Sequence, residues 1–397
     1  MATTTQKTVA VTGNHAVAEA LRQLNPDVMA AYPITPSTEI MQQYTTFVSN
    51  GKVDTEIVLV ESEHSAMSAC IGASAAGGRV ATATSAQGLA LMWEMLHIAS
   101  GYRLPILLAC ANRALSAPLN IHGDHSDGMG ARDCGWIQLY SENAQEAYDN
   151  TLMSFRIAEH ADVRLPIMVG MDGFITSHSI ESMQYLPDDV VKKFVGEYKA
   201  MEPLLDLDHP KSLGALVLTD YYIEHKRAEH EAMLKAKKVI QDVSEEFAKI
   251  SGRKYELFES YRLEDAEVVL IALSSAAGTV KDEVDKYRNK GVKAGLLKPR
   301  VFRPFPYEEV GLALKNAKAA CVMDRADSYG GYGPLFMEIA SALAPYRQGG
   351  PVLFNKIYGL GGRDLMPHDI DQVIDETIEV AKSGKAKILK DYMTIRN

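Results

Sequence analysis

Short apolar runs alternate with longer segments of helical spacing along the first half of this chain. Residues 28–32, 57–60, 79–84, 105–109 and 166–170 are short, apolar or β-branched runs that read as strands. Between them, the alanine-rich residues 65–76, residues 86–100 with Leu89, Met92, Trp93 and Leu96 on one face, and residues 145–159 read as helices. Such alternation restricts the fold to a parallel sheet covered on both faces. In sheets of this kind the loops after the strand C-termini carry function.

A second α/β unit follows. Residues 181–210 hold several prolines and many acids and read as an extended connector. Residues 223–250 read as one long charged helix with an apolar stripe of Ala236, Ile240, Val243, Phe247 and Ile250, suited to bracing a domain joint. Residues 268–273, 293–298 and 319–323 read as further strands, with helices after 278 and over 335–343. A chain of 397 residues exceeds one ordinary domain of roughly 100–200. The expected division is 1–190, a connector with the long helix at 191–262, and 263–397. The fold class is α/β, with two parallel-sheet domains.

A hydrophobic share of 47% and a charged share of 23% permit a real core in each domain. The net charge of -10 disfavours nucleic acid and anionic lipid as partners. Cys70, Cys110, Cys134 and Cys321 are widely spaced, with no C-x-x-C pair, so buried free thiols are expected and clusters or structural zinc are not. No signal-peptide apolar region follows Met1, and no apolar run reaches the roughly 20 residues of a membrane span. A cytoplasmic protein without membrane contact is expected.

Several loops concentrate chemistry. Residues 32–39 (Tyr-Pro-Ile-Thr-Pro-Ser-Thr-Glu) follow a strand. Pro33 and Pro36 stiffen the backbone, Pro36 biases Thr35 toward an extended conformation, and Ser37 or Thr38 is placed to cap the next helix. The loop is either a stiff support for a hydroxyl or an ordinary proline-braced turn. Glu61-Ser62-Glu63-His64 closes another strand. Its acids either cap the next helix or include one buried acid or base, and capping explains one acid better than two. Arg113 lies just past an apolar strand, where a guanidinium needs an anion, from a ligand or from an internal salt bridge. Residues 122–127 (His-Gly-Asp-His-Ser-Asp) are contiguous without helical ligand spacing, so a polar active-site loop is expected rather than a metal site. The glycine-rich residues 329–334 and 359–364 match neither phosphate-loop pattern and read as tight turns.

Taken together, Tyr-Pro-Ile-Thr-Pro at 32–36, Glu-Ser-Glu-His-Ser-Ala at 61–66, Thr-Ser-Ala-Gln-Gly-Leu at 84–89 and Asn-Arg-Ala-Leu-Ser-Ala-Pro-Leu-Asn-Ile at 112–121 resemble the alpha chain of 2-oxoacid:ferredoxin oxidoreductases, pyruvate type. Gly-Asp-His-Ser-Asp at 123–127, Asp-Gly-Phe at 172–174, Arg-Pro-Phe-Pro at 303–306 and residues 359–364 continue the resemblance over nearly the whole chain. It implies a pyrimidine-binding-type domain of thiamine diphosphate enzymes followed by a transketolase C-terminal-like domain. It also implies oxidative decarboxylation of pyruvate to acetyl-CoA and CO2, possible in either direction, with coenzyme A as co-substrate and ferredoxin as electron acceptor. Half of the thiamine diphosphate site falls to this chain. A beta subunit would hold the diphosphate, Mg2+ and a [4Fe-4S] cluster, beside gamma and ferredoxin-like delta subunits. The absence of a Gly-Asp-Gly…Asn motif here agrees with that division, and no metal ligand is expected in this chain.

By the same resemblance Glu63 is the catalytic glutamate on the cofactor's aminopyrimidine ring, with Pro33, Ile34 and Gln87 as further cofactor-binding residues. Thr35 resembles the substrate-facing hydroxyl and Arg113 the partner of the substrate carboxylate. Thr35 favours pyruvate, since oxalate-using relatives carry arginine there. His122 departs from the family, where tryptophan is usual, which leaves pocket size and loop packing open. Two alternatives stand beside pyruvate oxidation: the same chemistry on 2-oxoglutarate or a branched-chain oxoacid, and a non-catalytic scaffold. Joint presence of Thr35, Glu63 and Arg113 argues against the scaffold.

Overall fold

Complete burial picks out the central strands. Val80–Thr84, Ile106–Asn112, Ile137–Ser141 and Ile167–Asp172 are buried at every position, as strands covered on both faces must be. The computed structural model describes residues 5–346 and 348–396. In chain order the strands are β1 Lys7–Thr12, β2 Val28–Ala31, β3 Glu56–Leu59, β4 Val80–Thr84, β5 Ile106–Asn112, β6 Ile137–Ser141, β7 Ile167–Asp172 and β8 Ile180–Tyr185. They continue as β9 Phe258–Tyr261, β10 Val268–Ala272, β11 Ala294–Pro299, β12 Val301–Arg303, β13 Ala319–Asp324, β14 Val352–Ile357 and β15 Lys390–Tyr392.

Among the described residues the first large sheet runs β12-β6-β7-β5-β4-β2-β3 and the second β15-β14-β13-β10-β11-β9. Both are parallel except at one edge, where β12 and β9 pair antiparallel with their neighbours. Period-two alternation sorts the sheet residues to two faces. Ala81, Leu107 and Ala109 pack with the helices Gly13–Leu24, Thr38–Ser49 and Ala144–Ala158. Val80, Ile106 and Leu108 pack with Glu63–Ala76 and Trp93–Gly101. The second sheet repeats the plan. Val269 and Val322 face the helices Tyr307–Leu314 and Pro334–Leu343, and Leu270 and Cys321 face Ala276–Asn289 and Pro367–Ser383.

The structure corrects four local expectations. The helix expected over 86–100 is two, Ala86–Leu91 and Trp93–Gly101, broken at Met92. The break takes Trp93 off the apolar face, so Trp93 is 53% exposed while Leu89, Met92 and Leu96 are buried. The connector expected as extended begins instead with β8, paired antiparallel with β1, and the helix Asp188–Val195. The long helix spans Leu218–Ser251 and carries its stripe into the first domain's core, but Ile250 is only partly buried. Finally, β12 comes from the second half of the chain yet lengthens the first sheet, with Val301 opposite Leu139. The two units are therefore stitched together by a strand as well as by the helix.

All four cysteines are free and buried. Among the described residues, no helix is long and apolar enough to cross a membrane.

Candidate active site

Parallel pairing puts the C-terminal ends of β2, β4, β5 and β7 along one edge of the first sheet. The loops that leave there carry the residues singled out by sequence. After β2, the Thr35–Pro36 peptide is cis, Pro33 and Thr35 are exposed, and Ile34 is half-buried. Contrary to expectation, Ser37 does not cap the following helix with its side chain. Its hydroxyl donates to Ile34 O at 2.8 Å and closes the turn. Pro36 O accepts from buried Asn14 Nδ2 at 2.8 Å, which anchors the loop to the sheet's helical layer.

After β3, Ser62 is the helix cap and accepts from Ser65 N. Neither acid does that work. Glu61 is exposed and bonds the Ser65 hydroxyl. Glu63 opens the helix Glu63–Ala76, is 7% exposed, and accepts no hydrogen bond among the described residues. A carboxylate buried at a helix N-terminus gains from the helix dipole, yet its oxygens are left for another partner.

That carboxylate lies against the loop after β4. A Cβ added to Gly88 would press on Thr84 Oγ1 and stand 2.7 Å from Glu63 Oε1. On the same turn Thr84 Oγ1, Ser85 Oγ, and both Gln87 Oε1 and Nε2 are buried without a hydrogen-bond partner among the described residues. Buried polar atoms are normally paired. The turn thus carries four unsatisfied polar atoms, and one of its residues, Thr84, lies against the same Gly88 position as the unpartnered Glu63 carboxylate. Glu63, whose oxygens have no partner here, would be the residue to meet the aminopyrimidine part of thiamine diphosphate, with Gln87 on the adjoining turn.

After β5, Arg113 is buried, and its guanidinium is aimed by carbonyls. Nη1 donates to Thr35 O at 3.0 Å and Nε to Asn120 O at 3.0 Å. No carboxylate pairs with it among the described residues, so the internal salt-bridge reading fails and Nη2 remains for an incoming anion. Burial lowers the guanidinium's pKa, against the pull of the nearby Asp127 charge. Thr35 and Arg113 are thus in direct contact, and Glu63 sits against the turn that carries Gln87 and Gly88.

Asp127, named in a motif but given no role from sequence, joins these two groups. Its Oδ2 accepts from Ala86 N at 2.8 Å and from Arg113 N at 2.9 Å. Its Oδ1 accepts from Asn112 Nδ2 at 2.9 Å and Gly128 N at 2.6 Å. Burial pushes its carboxyl up to about 6, while these donors oppose the rise. The rest of the 122–127 loop is held by hydrogen bonds. Asp124 accepts from Ser126 N and, across the domain joint, from Gly361 N at 3.0 Å. Asn120 Nδ2 donates to Gly361 O at 2.9 Å. The turn at 359–362 is therefore a packing turn that holds the active-site loop. The exposed His122 ring lies 4.8 Å from the Phe174 ring, which in turn stacks on His178.

At the end of β7, buried Asp172 clamps the two domains. It accepts from Ser275 N at 3.0 Å, from the Ser275 hydroxyl, from Arg325 Nη1 at 2.9 Å, and bonds His125 Nε2 at 2.6 Å. Burial raises this carboxyl, but Arg325 and His125 outweigh it and hold it below the usual carboxylate range. The carboxylate trio with metal-ligand proximity, Glu142, Glu146 and Glu259, lies elsewhere and encloses a lysine instead. Lys298 Nζ lies 2.6 Å from Glu142, 2.6 Å from Glu146 and 2.8 Å from Glu259.

Known proteins share this chain's sequence and fold. Residues 19–245 match the family model described as "Pyruvate flavodoxin/ferredoxin oxidoreductase, thiamine diP-bdg", and residues 266–370 match "Pyruvate:ferredoxin oxidoreductase core domain II". The chain is 54% identical to pyruvate synthase subunit PorA of Thermotoga maritima, covering 93% of this chain and 94% of that one. It is 48% identical to the PorA subunit of Methanocaldococcus jannaschii, over 92% and 93%. It is 45% identical to ketoisovalerate oxidoreductase subunit VorA of Pyrococcus abyssi, over 94% of each. A solved 2-oxoglutarate:ferredoxin oxidoreductase from Magnetococcus marinus shares the fold, with a TM-score of 0.73 at 20% identity, and this chain spans 94% of its own length and 65% of that longer chain. A split-gene transketolase has a TM-score of 0.54 at 12% identity. The chain belongs to the pyruvate:ferredoxin oxidoreductase family.

Proposed function

We propose that this chain is the alpha subunit of a cytoplasmic multi-subunit enzyme that converts pyruvate and coenzyme A to acetyl-CoA and CO2, passing two electrons to ferredoxin. The observation that carries the reading is the buried, unpartnered Glu63 packed against Thr84 and Gly88, on a turn whose Thr84, Ser85 and Gln87 side chains hold unsatisfied polar atoms. When bound, thiamine diphosphate supplies the carbanion that attacks the 2-oxo carbon and the electron sink that follows loss of CO2.

This chain's residues supply binding, orientation and one proton contact. Glu63 hydrogen-bonds the aminopyrimidine ring, and its burial strengthens that contact. Gln87, Pro33 and Ile34 would add further contacts to the cofactor. Arg113, aimed by Thr35 O and Asn120 O, pairs with the substrate carboxylate through its remaining nitrogen, a geometry guanidinium suits. Thr35, an exposed residue, would contact the substrate through its hydroxyl. A beta subunit supplies the diphosphate site with Mg2+ and a [4Fe-4S] cluster, and gamma and ferredoxin-like delta subunits pass the electrons on. This division fits a chain that offers one side of a cofactor site.

The test is Glu63→Gln in the assembled complex. Turnover on pyruvate should fall by about 100-fold or more, the scale of a positioned acid–base contact. Exchange of the cofactor's thiazolium proton should slow in parallel, with subunit and iron content unchanged. Wild-type turnover in this variant would sink the assignment and favour a scaffold. Rates on 2-oxoglutarate or ketoisovalerate equal to the rate on pyruvate would move the substrate but leave the reaction class in place.

A further inference from the structure

We propose that Asp127 is a positioning residue that fixes the spacing between the cofactor-side turn at Thr84–Gly88 and the substrate-binding Arg113. The inference rests on the proposed function, because it assigns those two segments to the two ligands.

The pairing of β4 with β5 ends at Thr84 opposite Cys110. Beyond that point no ladder bond sets the separation of the two loops. One carboxylate oxygen replaces the ladder, since Asp127 Oδ2 accepts from Ala86 N at 2.8 Å and from Arg113 N at 2.9 Å. Ala86 has a φ of 44°, a left-handed conformation unfavourable for alanine, so an external bond is needed to hold it. Asp127 is 3% exposed, and all four of its close donors are N–H groups. A merely local role, capping the five-residue helix Ser126–Gly130, would use Gly128 N and leave the other bonds unexplained.

Asparagine cannot substitute. One of its two ends is an NH2 group and would face N–H donors wherever it is turned. Loss of a hydrogen bond to a buried charge changes an equilibrium by about ten-fold or more. Because Oδ2 serves both loops, the loss should appear in both ligands together.

The experiment compares Asp127→Asn with Arg113→Lys in the assembled complex, measuring the thiamine diphosphate Kd by fluorescence quenching and kcat and KM for pyruvate. Asp127→Asn should raise the Kd and the pyruvate KM together, each by about ten-fold. Arg113→Lys should raise the pyruvate KM alone. A change in only one constant in Asp127→Asn, or a lower Tm with both constants at wild-type values, overturns the proposal. Should Asp127→Asn not assemble, Asn112→Ala removes a donor that orients the carboxylate through Oδ1 and so loosens both amide bridges on Oδ2. It should raise both constants by about three-fold, and wild-type constants there overturn the proposal too. Turnover by the wild-type complex stripped of thiamine diphosphate would instead overturn the proposed function, so the two failures are distinct.

Discussion

Replacing Gly88 by alanine separates activity from stability. Gly88 lies inside the helix Ala86–Leu91, where alanine is favoured over glycine by about 1 kcal/mol. Opposing this, the new Cβ would press on Thr84 Oγ1 and stand 2.7 Å from Glu63 Oε1 and 2.8 Å from Glu63 Cγ, where ordinary contact begins at 3.4 Å. The Glu63 carboxylate must retreat by several tenths of an ångström or rotate. Overpacking of this kind costs about 1–3 kcal/mol, so the net loss of stability is at most about 2 kcal/mol. Activity should suffer far more. A misplacement approaching 1 Å at a reacting centre costs on the order of 100-fold, and here the displaced group is the one assigned to the cofactor ring.

The assay is kcat on pyruvate at saturating thiamine diphosphate, together with the Tm of the same preparation. The control is Gly72→Ala in the adjoining helix Glu63–Ala76, where an added Cβ meets nothing within 4 Å. That variant should keep full activity and gain up to about 1 kcal/mol. If Gly88→Ala keeps kcat within about two-fold of wild type while a crystal structure shows Glu63 displaced, the carboxylate's position does not govern turnover, and the role assigned to Glu63 is wrong.

Two predictions concern the joint between domains. Asp172→Asn leaves Arg325 buried without its carboxylate and should destabilise by about 3–5 kcal/mol, measured by urea unfolding of the complex. Because the folded Asp172 carboxyl lies below its unfolded value, its contribution is fully present above about pH 4 and is lost as pH falls; the wild type should lose more stability than the variant on acidification below that point, and parallel curves would refute the pairing. Lys298→Met would remove the ammonium shared by Glu142, Glu146 and Glu259, whose oxygens lie within 4.8 Å of one another, and leave Lys281 on Glu142 and Glu259 alone. The Tm should fall, and millimolar Ca2+ should restore part of it in the variant but not in wild type; an unresponsive variant would show that the trio cannot close on a cation.

What was legible in the sequence follows from what local pattern can encode. The strands β4, β5 and β7 are buried at every position, and such runs announce themselves as apolar segments between helical ones. β1 and β8 form a surface ribbon of mostly exposed or half-exposed residues, in which only Val9, Val11, Met183 and Tyr185 alternate toward the core, a pattern too short to stand out. The three residues of β12 are too few to show a period, and their place beside β6 depends on how the two units dock. The break at Met92 has no proline or glycine within it to reveal it. Site residues divide on the same line. Glu63 and Arg113 were visible as charges at the ends of apolar strands, where a buried ion needs a reason. Asp127 was visible as one acid among several, because its function is a choice of partners. Its carboxylate sits 41 residues from Ala86 and 14 from Arg113 in sequence, and only the folded sheet brings those two amides to one oxygen. A sequence therefore exposes the groups assigned here to ligands more readily than the one proposed to hold them in place, since a charge at the end of an apolar strand stands out locally and a choice of partners does not.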